Sequence, residues 1–188
     1  FQPDEIRCTH LVLTHGHADH LGDALPIAMR TGAPLFAAFE ICNYFNEKGH
    51  PHTEPMNPGG QVSTDFGFVA LTQALHSSSY EGRYMGMPCG AVIEIDGVTL
   101  YHAGDTALFG DMRLIGELYQ PDVAILPIGD RFTMGPEHAT KAAELVGAKV
   151  AIPCHYNTWP PIEIDVSRFN PDGIEVKAID PGASINLP

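Results

Sequence analysis

The sequence predicts an α/β layered domain, and three observations predict it. Segments that read as strands and segments that read as helices interleave along the whole chain. Val123-Ala124-Ile125-Leu126 is an unbroken apolar run of the kind found in strands buried on both faces. At 188 residues, 44% of them hydrophobic, the chain is long enough for one substantial core and too short for two comfortable ones, so one domain over 1–188 is expected.

Residues 8–14 are rich in β-formers and read as a strand. His20 to Arg30 reads as a short helix, with Pro26 tolerated near its first turn or as a kink. Residues 34–38 form a short apolar strand, and Phe39 to Lys48 a helix that Gly49 ends. Pro51, Pro55, Pro58, Gly59 and Gly60 make 49–60 a surface loop. Residues 61–75 read as two strands about a turn near Asp65-Phe66-Gly67, and 76–90, rich in Ser, Tyr and Gly, as a second loop. Residues 91–95 and 98–102 alternate about Asp96-Gly97, a hairpin signal. Ala107 to Tyr119 reads as a helix and Asp122 to Pro127 as a strand. A helix starts at Pro136 and is ended by Gly147, and a buried strand follows from Lys149 to Pro153. Ile174 to Leu187 gives one or two edge strands.

The chemistry is concentrated in His15-Gly16-His17-Ala18-Asp19-His20, which follows the apolar run Leu11-Val12-Leu13. A strand ending in such a cluster delivers imidazoles and a carboxylate to one point at a sheet edge, which is how a rigid scaffold builds a metal site. Three more strand ends carry a candidate ligand: His76 after Val69-Ala70-Leu71 and Ala74-Leu75, Asp105 after the hairpin, and His155 after Val150 to Cys154. Singly, each reads as an ordinary hydrogen-bonded polar residue; together with the first cluster they read as ligands.

The sequence resembles the metallo-β-lactamase superfamily in the order of these motifs. More narrowly it is similar to the small metal-dependent hydrolases related to the ascorbate-6-phosphate lactonases. That narrower likeness rests on Leu13 to His20, His76-Ser77-Ser78-Ser79, His102-Ala103-Gly104-Asp105-Thr106, Phe132-Thr133-Met134-Gly135-Pro136 and Pro153-Cys154-His155-Tyr156-Asn157-Thr158. The resemblance implies an αββα sandwich in which His15, His17 and His76 hold one metal, Asp19, His20 and His155 hold a second, and Asp105 bridges the two. The β-lactamases proper carry a Cys where this chain has Asp105, so antibiotic cleavage is not implied. All-nitrogen and oxygen ligation suits two divalent ions, zinc first, with Mn, Fe, Co and Ni also compatible.

The implied reaction is hydrolysis by a metal-bridging hydroxide, with Asp19 or Asp105 accepting its proton. A lactone or other ester, including that of a phosphorylated sugar acid, is the first substrate class, by likeness to the lactonases. A phosphodiester comes second, and a non-catalytic metal or metabolite binder is the reading from another class. Against the binder stands a ligand set with every position filled. His102 is expected behind the ligands, and Tyr156, Asn157, Arg131 and His138 are candidate substrate or anion contacts.

The net charge of −13 disfavours nucleic acid as a partner, and no apolar stretch approaches the length of a bilayer span. Cys8, Cys42, Cys89 and Cys154 are widely spaced and read as free, mostly buried thiols of a reducing, cytoplasmic compartment. The related hydrolases open with strands that precede the first motif. Here the chain opens on Phe1 and reaches that motif at once, so those strands are expected from outside it, as a separate chain or as further residues. A homo-oligomer is also compatible with the sequence.

Overall fold

The computed structural model describes residues 2–186, so Phe1 and the Leu187 end of the expected tail strand lie outside it. Two sheets face one another, with helices on their outer sides. The smaller sheet holds β1 (Leu11–Val12), β2 (Leu35–Ala38) and β3 (Thr53–Met56), all parallel, in the order β1-β2-β3. Helices α1 (Ala18–Leu21) and α2 (Ala24–Thr31) connect β1 to β2, and α3 (Phe39–Glu47) connects β2 to β3.

The larger sheet has seven strands in the order β12-β11-β10-β9-β8-β5-β4. They are β4 (Gln61–Ser63), β5 (Gly67–Gln73), β8 (Cys89–Ile95), β9 (Val98–His102), β10 (Val123–Pro127), β11 (Val150–Cys154) and β12 (Glu175–Val176). β4, β5, β8 and β9 pair antiparallel, and β9 to β12 pair parallel. Helices α4 (Met112–Tyr119) and α5 (Pro136–Val146) return the chain between the parallel strands.

Strand alternation sorts the core into three layers. In β5, Val69 and Leu71 point between the sheets, where Phe36, Met56, Cys89 and Ala91 meet them. Ala70 points the other way, into the layer under α4 and α5 with Val92, Ala142 and Val146. Leu35 and Ala37 of β2 pack under α2 and α3 with Ala28, Ile41 and Phe45. The αββα sandwich is therefore present, each sheet buried on both faces along its central strands.

The hairpin forms as expected, with Asp96 (φ 52°) and Gly97 (φ 84°) both in the left-handed region that a type I′ turn requires. Other boundaries shift. The expected strand over 8–14 pairs only at Leu11 and Val12. The expected helix from His20 is split into α1 and α2 at Gly22 (φ 41°), and Pro26 sits in the first turn of α2, where its missing N–H costs nothing. The 49–60 loop contains β3, because Pro55 lies on an edge strand and an edge tolerates the missing donor. The 76–90 loop carries a two-stranded ribbon of β6 (Ser79–Tyr80) and β7 (Arg83–Tyr84).

Helix α4 starts five residues later than Ala107, at Met112. The preceding backbone is committed elsewhere. Thr106 Oγ1 accepts from Leu75 N–H at 2.9 Å, Ala107 N–H donates to Leu75 O, and Met134 N–H donates to Thr106 O. Two 3-10 turns, Pro160–Ile162 and Val166–Arg168, were not anticipated. The tail contributes only β12 among the described residues.

Candidate metal centre

Strand direction gathers the candidate ligands. β5 and β9 both run antiparallel to β8, and β10 and β11 run parallel to β9, so the C-terminal ends of β5, β9 and β11 share one sheet edge. The chain leaving β1 joins them through Cys89 N–H, which donates to Thr14 O at 2.9 Å. The carboxyl edge of an open α/β sheet is where ligands are bound, because backbone ends and loops there leave room. All seven predicted ligands leave strands at this edge: His15, His17, Asp19 and His20 after β1, His76 after β5, Asp105 after β9, His155 after β11.

Their donor atoms form overlapping groups, each within 4.8 Å: His15, His17 and His76; His15, His20 and Asp105; Asp19, His20 and His155. His17 Nδ1 lies 3.1 Å from His15 Nε2 and 3.2 Å from His76 Nε2. A tetrahedral ion with bonds of the usual length sets its nitrogen ligands ~3.3 Å apart. With His17 Nε2 3.2 Å from Ser77 Oγ, the single lone pair of His17 Nδ1 can accept a proton from only one of His15 and His76 at a time, although both rings converge on it. Converging lone pairs of this kind fit a cation.

Asp105 sits between the groups. Its Oδ1 is 3.3 Å from His20 Nε2, and its Oδ2 is 3.5 Å from His76 Nε2 and 3.3 Å from His155 Nε2. Asp19 approaches from the outer side, its Oδ2 3.3 Å from His155 Nε2 and 3.5 Å from His20 Nε2, and most of its side chain faces solvent. Together the residues could hold two ions with a shared carboxylate.

The electrostatics keep His15, His76 and Asp105 in the state that ligation needs, while His20 without an ion favours a proton that ligation would displace. Burial, reinforced by His20, pushes the His15 imidazole down to about 3, so it is neutral at pH 7. Burial also lowers His76. For Asp105 burial acts upward, but the hydrogen bond and charge of His20 with the other imidazoles outweigh it and hold the carboxyl below its usual range. Burial opposes the charged form of His20 too, yet the hydrogen bond to Asp105 and the charges of Asp105 and Asp19 raise it.

Neighbouring groups fix these rings and turns. Thr14 Oγ1 is 3.2 Å from His15 Nδ1, and the Ser78 hydroxyl oxygen accepts from Gly16 N–H at 3.1 Å. Gly104 takes φ 62°, and a Cβ there would lie 2.6 Å from Cys89 O and 2.9 Å from Thr14 Cβ. Only glycine lets the chain turn so tightly into Asp105. His102 lies behind that turn: its Nδ1 accepts from Gly104 N–H at 3.0 Å, and burial with the nearby His20 pushes it down to about 4.

The cluster opens into a cleft of about 430 Å³. His17, Asp19, His76, Ser77, Asp105 and His155 line it together with Phe132 and Trp159. Of the expected substrate contacts, none lines this cleft. Tyr156 and Asn157 face a separate hollow with Asp180, and the Asn157 side-chain Oδ1 accepts from Ile164 N–H at 2.7 Å. His138 is exposed on the first turn of α5. Arg131 stands outside, its guanidinium 5.7 Å from the centre of the Phe132 ring. Phe132 and Trp159 were missed as site residues. The signal available was that Phe132 opens one of the quoted segments and that Trp159, the single Trp, follows another.

The profile of the Beta-lactamase superfamily domain matches residues 3–156. A UPF0173 metal-dependent hydrolase of Geobacillus thermodenitrificans is 49% identical over 191 residues, spanning 97% of this chain and 84% of the relative. Its counterpart in Thermococcus kodakarensis is 46% identical, spanning 99% and 85%. Among solved structures, Igni18, a metallo hydrolase from Ignicoccus hospitalis, superposes with a TM-score of 0.87 at 42% identity over 97% of this chain and 80% of its own. The metallo-beta-lactamase fold protein YhfI of Bacillus subtilis shares the fold with a TM-score of 0.69 at 16% identity, over 91% and 74%.

Proposed function

The chain belongs to the metallo-β-lactamase superfamily, among its metal-dependent hydrolases, and from that premise we propose that it is a dinuclear hydrolase of lactones or other carboxylic esters. In this reading His15, His17 and His76 hold one divalent ion, Asp19, His20 and His155 hold the other, and Asp105 serves both. Zinc suits the nitrogen-rich donor set best. The observation that carries the reading is the position of Asp105, whose Oδ2 approaches a histidine of each trio, His76 and His155.

Divalent ions held there supply Lewis acidity, lowering the pKa of water towards neutrality and polarising an ester carbonyl. The residues do the rest. Asp105 has both oxygens against imidazoles and is best suited to structure. Asp19 meets the imidazoles through Oδ2 and faces the cleft, so its carboxylate is the group placed to take a proton from the attacking water. Ser77 holds His17 where it lines the cleft.

The reading is tested by elemental analysis of protein purified without chelator, followed by a panel of lactones, simple esters and phosphodiesters. Close to two transition-metal ions per chain, with lactone or ester turnover, is expected. No metal uptake on reconstitution would overturn the ligand set. Turnover of phosphodiesters alone would move the substrate class.

A further inference from the structure

We propose that Phe132 and Trp159 form a binding wall for a flat, uncharged, apolar portion of the substrate, so that the enzyme selects aryl-bearing or similarly flat neutral esters over phosphorylated ones. The two rings are stacked, 10° from parallel with centroids 5.8 Å apart, and each is about half exposed, 47% and 48%, at the cleft that holds the candidate ligands. Large aromatic side chains left half in water beside a polar cluster gain by covering, and a flat apolar ligand covers them best.

The wall is held in place. Phe132 rides a turn closed by Thr133 N–H donating to Asp130 O at 2.8 Å and Asp130 N–H donating to Met134 O at 3.0 Å, with Met134 buried. Trp159 is extended (φ −163°), as a residue before proline must be, and Ile162 anchors the following 3-10 turn in the core. The face they offer is therefore pre-formed, and binding to it costs little ordering.

Charge points the same way. No Lys or Arg lines the cleft among the described residues, so away from the ions that the His and Asp cluster would hold, the lining offers a phosphate no cation. Recognition of a phosphate normally uses a guanidinium or ammonium aimed at it. The nearest candidate, Arg131, lies over the Phe132 ring outside the cleft lining. A substrate bound with its carbonyl at the His and Asp cluster would lay its neighbouring substituent on the aromatic wall.

The proposal rests on the hydrolase reading only for its kinetic arm, because Trp159 is the single tryptophan and reports binding by its own fluorescence. Metal-loaded protein titrated with benzamide should show a saturable change in Trp159 emission, and acetamide and glycerol 3-phosphate should show none. Phe132→Ala, which keeps the reporter and touches no donor atom, should weaken benzamide binding about tenfold with metal content unchanged, in line with the worth of one stacked ring. In kinetics, Trp159→Ala should lower kcat/KM for benzyl acetate about tenfold more than for ethyl acetate. No saturable response to benzamide, equal binding of glycerol 3-phosphate, or equal losses on the two esters would overturn the proposal. Benzamide binding without hydrolysis of either ester would refute the ester reading and leave the aromatic wall standing.

Discussion

Asp105 Oδ2 lies 3.3 Å from His155 Nε2, although one residue leaves β9 and the other leaves β11, with α4, β10 and α5 between them. The contact exists because β9, β10 and β11 are parallel and end together, so two crossovers bring distant residues to one edge. It makes Asp105 the residue on which both candidate metal positions depend.

Asp105→Ala should therefore remove metal and activity together. Losing a mere orienting partner of a ligand costs 10–100-fold in affinity, and removal of a carboxylate common to both positions should cost at least ~100-fold. Elemental analysis and ester turnover on the same sample check this. Full metal retention in the variant would refute the bridging assignment.

Asp19→Asn should separate binding from proton transfer. The amide keeps an oxygen toward His20 and His155 but cannot accept a proton. A fall in kcat of roughly 10²–10⁴, with a smaller loss of metal, is expected. If kcat fell only in step with metal content, Asp19 would be a ligand and nothing more.

The metal-stripped protein should lose stability as the pH falls from about 6 to 4.5. His15 and His102 have folded-state values pushed down to about 3 and about 4, against 6.5 for a free imidazole. The unfolded chain therefore binds these protons first, and stability drops below about pH 6.5 until the folded values are reached. At about 1.4 kcal/mol per proton and pH unit, the two give a loss of roughly 3–4 kcal/mol over this window. His20, which is raised, contributes stability fully present below about 6.5 and lost as the pH rises through its folded value, so it is nearly constant here. Asp105, which is lowered, contributes above about 3.8 and is lost only in stronger acid. Thermal unfolding with chelator at both pH values measures the sum, and an unchanged midpoint would contradict the burial of these rings.

What the sequence made legible was the chemistry fixed by strand ends. Seven candidate ligand positions could be named because each lies at the end of a strand, and a run that ends at a sheet edge has few places to deliver its next residue. Substrate contacts were not legible in the same way. Tyr156 and Asn157 adjoin His155, but His155 (φ 56°) and Asn157 (φ 55°) both take left-handed backbone, which turns the chain away from the cleft. β3 was hidden by its proline, since composition cannot tell an edge strand from a loop. Phe132 and Trp159 come together from loops after different strands, β10 and β11, so no local pattern announces their stacking.

Cys154→Ser should leave metal stoichiometry nearly intact. The strand does not continue past Cys154, so alternation alone cannot say where its thiol lies relative to His155. The surroundings decide it. Burial, aided by the negative charge of Asp105, pushes the thiol up to about 12, so with no ion present it stays protonated. The sulfur also falls outside every candidate donor group among the described residues. The serine hydroxyl adds a polar atom to a partly buried position and should cost about 1–3 kcal/mol of stability if it finds no partner. Elemental analysis beside thermal unfolding separates the effects: a lower midpoint with unchanged metal is expected, and a large loss of metal would place sulfur among the ligands and undo the assignment of His155.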